Sequence, residues 1–256
     1  MEKLIDINNV SVVYEGKQGS TQAIKDIDLS INKGDFLVLL GPSGCGKSSL
    51  LKLIAGFNKP SQGSIKINGQ NIEGPNRDRG VVFQSTNLFP WLNVKENVSY
   101  GLKLNKMDQA TIDSLVDLYL EEVGLEDYKF HYPEELSGGM RQRVAFVRSM
   151  INNPKILLMD EPFGALDAIT RLNMQDMVRK LWKKGDQTFF LITHDIEEAL
   201  SLGNRIVVMS HSPGEIQKEY KVDFSQRLEN EEGYVATLDP DFMKIREEIL
   251  HLINVD

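Results

Sequence analysis

The sequence predicts an α/β fold, with a mainly parallel sheet flanked by helices, a small antiparallel β subdomain near the N-terminus and an inserted helical subdomain. Three observations carry this. Short apolar runs without alternation recur at 36–40 (FLVLL), 81–83 (VVF), 156–159 (ILLM), 189–192 (FFLI) and 206–209 (IVVM). Strands buried on both faces have this pattern, because helices cover both sides of a parallel sheet. Segments of helical spacing separate the runs, whereas residues 1–33 alternate between apolar and polar.

In chain order, Leu4, Ile5, Ile7, Val10 and Val12, then Ile24, Ile27, Leu29 and Ile31, join Ile65 and Ile67 in the antiparallel sheet. After the run at 36–40 a glycine-rich loop leads into a helix starting near Lys47, whose Leu50, Leu51 and Ile54 precede Gly56 as a C-terminal stop. Residues 88–153 read as mostly helical. Ile112, Leu115, Val116, Tyr119, Leu120 and Val123 make an amphipathic stripe ended by Gly124. Met177, Val178, Leu181 and Trp182 precede Lys183 and Lys184, which suit the negative end of a helix dipole. Asp195 and Glu198 have capping-box spacing, with Gly203 closing that helix. Beyond Ser212 the signals weaken among Glu229, Glu231 and Glu232. A last helix is expected from Asp239-Pro240, with Phe242, Ile245, Ile249 and Leu252 facing the core. The expected division is a core of 1–87 and 154–211 that includes the antiparallel sheet, a helical subdomain at 88–153 and a C-terminal extension at 212–256.

Composition narrows the function. With 256 residues the chain has ample core for one large domain or two packed subdomains. A formal net charge of -8 offers no global basic field to hold a nucleic acid backbone, so no nucleic acid partner is expected. The apolar runs are too short to cross a bilayer, and the first twenty residues lack the layout of a signal peptide. Cys45 is the single cysteine, which excludes an internal disulfide and fits a reducing compartment. The expectation is a cytosolic protein.

The strongest motif is GPSGCGKSS at 41–49, which fits G-x-x-x-x-G-K-[ST] between a buried strand and a helix. Gly41, Pro42, Ser43, Gly44, Cys45, Gly46, Lys47, Ser48 and Ser49 are therefore candidate nucleotide-binding residues of a P-loop NTPase core. Glycines let backbone N–H groups curl inward at a helix N-terminus, which makes a concave anion site. Lys47 is expected to reach the terminal phosphates and the Ser48 hydroxyl to bind Mg²⁺. The competing account is a glycine-rich turn that binds nothing.

KILLMDE at 155–161 brings two carboxylates to the C-terminal end of a buried strand, the edge at which open parallel sheets bind ligands. Asp160 is expected to hold Mg²⁺ and Glu161 to orient or deprotonate a water; alternatively both merely face solvent. LSGGMRQRV at 136–144 sets Ser137 as a cap and Gly138 and Gly139 as bare backbone before a helix with Met140, Val144, Val147 and Ile151 on one face. Taken alone, an ordinary helix start is the simpler account of it.

LSGGMRQRV, together with the 41–49 loop and Asp160-Glu161, resembles the ATP-binding-cassette ATPases over nearly the whole chain, to about Met209. The resemblance implies hydrolysis of ATP to ADP and phosphate in a head-to-tail dimer, with Ser137 and Gly139 touching the γ-phosphate held by the second ATPase subunit. It places Tyr14 against adenine, where a plain strand-end tyrosine is the alternative. It assigns Gln84 to Mg²⁺ or the attacking water and to sensing a permease, Asp167 of Ala165-Leu166-Asp167 to linking the two sites, and His194 to the γ-phosphate. Without the resemblance, Gln84 is a polar strand terminus and His194 an ordinary structural histidine. Cys45 has no implied catalytic role, although its thiol would make ATP binding sensitive to alkylation.

Integral-membrane permease subunits and an extracytoplasmic substrate-binding protein are implied partners, with this chain peripheral on the inner face of the membrane. Phe89, Pro90 and Trp91 are candidates for the docking surface, and packing within the helical subdomain accounts for Phe89 and Trp91 equally well. PWLNVKENV and GALDAITR resemble importers of nitrate, sulfonate, taurine or bicarbonate. Two other classes compete: a soluble ABC ATPase acting on nucleic acid or ribosomes, and a nucleotide-dependent binding module with little hydrolysis. The first usually carries paired cassettes or long coiled-coil insertions, neither seen here; Glu161 and His194 speak against the second.

Overall fold

The computed structural model describes residues 2–16, 19–185 and 187–254. In chain order the elements are β1 (Lys3–Gly16), β2 (Gly19–Asn32), β3 (Phe36–Leu40), α1 (Lys47–Ala55), β4 (Gln62–Ile67), β5 (Gln70–Asn71) and β6 (Arg79–Val82). There follow α2 (Val94–Leu104), α3 (Gln109–Glu122), α4 (Gly138–Met150), β7 (Ile156–Asp160), α5 (Ala168–Lys184) and β8 (Thr188–Thr193). The chain continues with α6 (Ile196–Leu202), β9 (Arg205–Met209), β10 (Ile216–Lys221), α7 (Phe224–Asn230) and α8 (Pro240–Asn254). They form two compact units, one of Met1–Asn76 with Gly185–Asp256 and the other of Arg77–Lys184.

The first unit holds an antiparallel sheet ordered β2-β1-β4-β5 and a second group ordered β10-β9-β3-β8. Alternation in β1 and β2 buries Ile5, Ile7, Val10, Ile24, Ile27 and Ile31, all at most 1% exposed. The alternation slips where the ladder shifts register, beside the left-handed residues Asn9 and Asp26 at φ 47°. β3 runs parallel to both β8 and β9 and is buried along its whole length, as a non-alternating run requires.

A buried ion network fastens the start of this group. Arg205, 7% exposed, donates to Asp35 and, at 2.7 Å, to Glu219, while Asp35 also accepts the Asn32 N–H at 2.8 Å. Burial works against the Arg205 charge, but the carboxylates of Glu219 and Asp35 outweigh it and raise its pKa.

Several expectations meet their physical reasons here. Gly56 ends α1 in the left-handed region at φ 81°, and Gly124, just past α3, does so at φ 65°. Asp239 Oδ1 accepts the N–H groups of Asp241 and Phe242 at the head of α8, and Phe242 and Ile249 are fully buried. One expectation needs correction. Asp195 caps α6, but Glu198 does not reach back to complete a capping box, because the Asp195 N–H is taken by Thr193 Oγ1 at 3.0 Å. In the segment after Ser212, where the sequence signals weaken, β10 adds antiparallel to β9, and α7 precedes α8.

The second unit pairs β6 with β7 in parallel and carries α2, α3, α4 and α5. α2 begins with a reciprocal capping box between Asn93 and Glu96. The α3 stripe buries Ile112, Val116 and Leu120. Arg143 of α4 donates to the Val123 carbonyl at 2.9 Å and so closes the C-terminal end of α3. Among the described residues no helix is long and apolar enough to cross a membrane.

Candidate active site

In the first unit the 41–49 loop leaves β3 and turns directly into α1. Gly46 is the N-cap at φ 97°, a left-handed conformation, and a Cβ there would lie 2.4 Å from Ile24 Cγ2. Only glycine fits that corner. Among the described residues no side chain caps α1, and no acidic residue stands in its first turn. By contrast, Asn93, Asp108 and Ser137 cap α2, α3 and α4. The uncapped end leaves backbone donors and the positive dipole end for an external anion.

Lys47 lies within the loop's curl. The residue is only 5% exposed, and its ammonium donates to the carbonyls of Gly41 at 2.7 Å and Pro42 at 2.8 Å. A cation held by neutral carbonyls beside an uncapped helix start fits a polyphosphate. Cys45 is 1% exposed, and burial raises its thiol pKa against the opposing pull of Lys47. Tyr14, 43% exposed near the end of β1, donates to Ser49 Oγ at 3.0 Å. Its ring is therefore tethered beside the loop with area left to stack on a base. His194 follows β8 directly and is exposed.

In the second unit β7 delivers Asp160 as its last residue, and Glu161 follows in the left-handed region at φ 45°. A non-glycine residue held there carries strain of about 1–3 kcal/mol, which clusters at working sites. Gln84 lies two residues beyond β6. A Cβ added at Gly164 would be 4.0 Å from the Gln84 amide nitrogen and 3.6 Å from the Glu161 carbonyl oxygen. Gln84 thus reaches the turn that follows Glu161. Asp167 Oδ1 accepts the Thr170 N–H at 3.1 Å. The Thr170 hydroxyl and N–H hold the Asp167 carboxyl below the usual carboxylate range. That residue therefore caps α5, whatever else it does.

Ser137 Oγ accepts the Met140 N–H at 3.3 Å and caps α4. Gly138 has open space around it, whereas a Cβ on Gly139 would lie 2.4 Å from Thr170 Cγ2. Arg141 donates to the Leu136 carbonyl at 2.5 Å and holds the loop before the helix.

Sequence reasoning missed two residues that organise the Gln84 loop. Arg148 of α4 donates to the carbonyls of Asn87 at 2.8 Å and Thr86 at 3.1 Å. Asn97, fully buried, bonds Phe89, Leu92 and Asn93 through their backbones. Arg148 stands one helical turn from Val144, at the edge of the apolar stripe, and no sequence signal marks its partner. Phe89 packs on Tyr100 with ring centroids 4.8 Å apart, whereas Trp91 stays 70% exposed. Phe89 also meets the Trp91 ring, with centroids 5.6 Å apart, so both aromatics pack within the helical subdomain while Trp91 keeps most of its surface exposed.

Comparison with known proteins shows the family. The family model described as ABC transporter matches residues 24–164. The chain is similar to the taurine import ATP-binding protein TauB of Jannaschia sp. (strain CCS1), at 46% identity over 96% of this chain and 92% of that protein. It is also similar to the nitrate import ATP-binding protein NrtD of Synechocystis sp. (strain ATCC 27184 / PCC 6803 / Kazusa), at 43% identity over 97% of this chain and 94% of that protein. Among solved structures it resembles the dimeric post-hydrolysis state of the ATP-binding cassette MJ0796 bound to ADP and Pi. That match has a TM-score of 0.76 and 33% identity, and covers 86% of this chain and 99% of the other.

Proposed function

Because this chain belongs to the ABC transporter family and is an ATP-hydrolysing transport subunit, we propose that it energises import of a small anion or zwitterion of the taurine, sulfonate or nitrate kind. The observation that carries the nucleotide part is the Lys47 ammonium, buried inside a loop that ends in an uncapped helix. The import part is supported by relatives named for taurine and nitrate import.

In this reading the 41–49 backbone and Lys47 bind the phosphates, and the Tyr14 ring stacks on the base. Glu161 orients or deprotonates the attacking water, a contribution of about 10²–10⁴-fold, and His194 positions the γ-phosphate. Phosphoryl transfer depends chiefly on such placement and charge compensation. Mg²⁺ takes oxygen ligands, one or two of them from protein, and completes its shell with substrate phosphates and water. Ser48, Gln84 and Asp160 would supply a hydroxyl, an amide and a carboxylate for it; bound there, it would neutralise charge on the phosphates.

A second copy would place its Ser137, Gly138 and Gly139 on the γ-phosphate, with Asp167 near the junction. Gln84 and the exposed Trp91 would meet a membrane-embedded permease, which places the chain at the cytoplasmic face, served outside by a substrate-binding protein. The test is uptake by cells lacking this chain. Loss of uptake of one small sulfonate or nitrate, restored by the chain but not by its Lys47→Ala variant, supports the reading. Unchanged uptake of all such anions overturns the import assignment.

A further inference from the structure

Three hydrogen bonds form a closed ring that spans His194. The Thr193 hydroxyl donates to Glu198 Oε2 at 2.7 Å, and the Asp195 N–H donates to Thr193 Oγ1 at 3.0 Å. The Glu198 N–H donates to Asp195 Oδ1 at 3.0 Å. Thr193 is 2% and Glu198 7% exposed. With its proton committed to Glu198 and a lone pair to Asp195, the Thr193 hydroxyl is held in one rotamer. Thr193 also ends β8 in parallel register with Leu40, the residue before the phosphate loop. The chain is thus fixed immediately before His194 by the sheet and immediately after it by the ring.

We propose that Thr193 and Glu198 are positioning residues for His194, holding its backbone at a set place relative to the end of β3. Glu198 is not needed to cap α6, since Asp195 does that. A carboxylate buried in a seven-residue helix carries a desolvation cost, and its bond to Thr193 gives it a use. This rests on the reading of His194 as a γ-phosphate residue.

The test is steady-state phosphate release by the full chain carrying Thr193→Val, Thr193→Ser, Glu198→Ala, Glu198→Gln and His194→Ala, and the double variant Thr193→Val/His194→Ala. Thr193→Val keeps the shape and removes the hydroxyl; it and Glu198→Ala are expected to lower kcat about tenfold, with KM for MgATP within about twofold. Thr193→Ser and Glu198→Gln, which keep a donor and an acceptor, recover most of that loss. The double variant turns over no more slowly than His194→Ala alone, because the ring acts through the histidine. In NMR spectra the His194 ring signal, assigned by its absence from His194→Ala, shifts in Thr193→Val while those of the other histidines stay.

Wild-type kcat in Thr193→Val, an unmoved His194 signal, or an equal loss in the His194→Ala background overturns the proposal. Wild-type turnover in His194→Ala is a separate failure: it rejects the role given to His194 itself.

Discussion

Tyr14 donates its phenolic proton to Ser49 Oγ across 3.0 Å, tying the far end of the first strand to the first turn of α1. The bond fixes where the ring stands relative to the phosphate loop before any nucleotide arrives, so binding need not order it. Tyr14→Ala, which removes ring and bond together, is expected to weaken MgATP binding by about 1–3 kcal/mol. Tyr14→Phe keeps the ring and should lose no more than about 1.5 kcal/mol. Calorimetric titration of both variants checks the order; equal losses would show that the hydroxyl, not the ring, carries the affinity.

Gly139 and Thr170 make a contact that admits no methyl group. A Cβ on Gly139 would overlap Thr170 Cγ2 at 2.4 Å, so Gly139→Ala is expected to destabilise the chain by about 1–3 kcal/mol through overpacking. Gly139→Ala/Thr170→Ser deletes the offending methyl and should restore most of that loss. Urea unfolding of the two variants decides it.

Asp35 and Arg205 form a buried ion pair at the start of β3 and β9. Asp35→Ala leaves the guanidinium with Glu219 as its remaining carboxylate and is expected to cost about 3–5 kcal/mol. The loss should appear as a lower unfolding midpoint at unchanged m-value. A loss below about 1 kcal/mol would mean that Glu219 and the Ser30 carbonyl together satisfy Arg205.

The Tyr234 hydroxyl is pushed up to about 12, first by burial and then by its hydrogen bond to Asp239 and that carboxylate's charge. Above its ordinary value of 10.0, the unfolded chain gives up this proton while the folded chain keeps it. The folded state then binds more protons, so this contribution is complete below about pH 10 and is lost as pH rises towards about 12. Tyr234→Phe should flatten the decline in stability between about pH 10 and pH 12. An identical decline in both proteins would contradict the assignment.

Legibility in the sequence followed physical signal strength. β3, β7, β8 and β9 were visible because burial on both faces leaves unbroken apolar runs. β10 was not: as an edge strand it buries only Tyr220 within IQKEYK, and a single apolar position makes no pattern. The 41–49 loop and the Asp160-Glu161 strand end stand out in the sequence, since each sets particular residues at fixed spacing beside a buried strand. Glu198 was visible only as a capping residue. Its spacing from Asp195 is right for a box, and nothing in the sequence shows that Thr193 would take both the carboxylate and the N–H. Arg148 and Thr170 act through backbone carbonyls and a methyl contact formed only when distant segments pack.

The most direct measurement of the central claim is phosphate release by Glu161→Gln alongside its equilibrium binding of MgATP. The predicted result is turnover lower by about 10²–10⁴-fold with nucleotide affinity kept, because the phosphate loop around Lys47 is untouched. Turnover equal to that of the unaltered chain would contradict it.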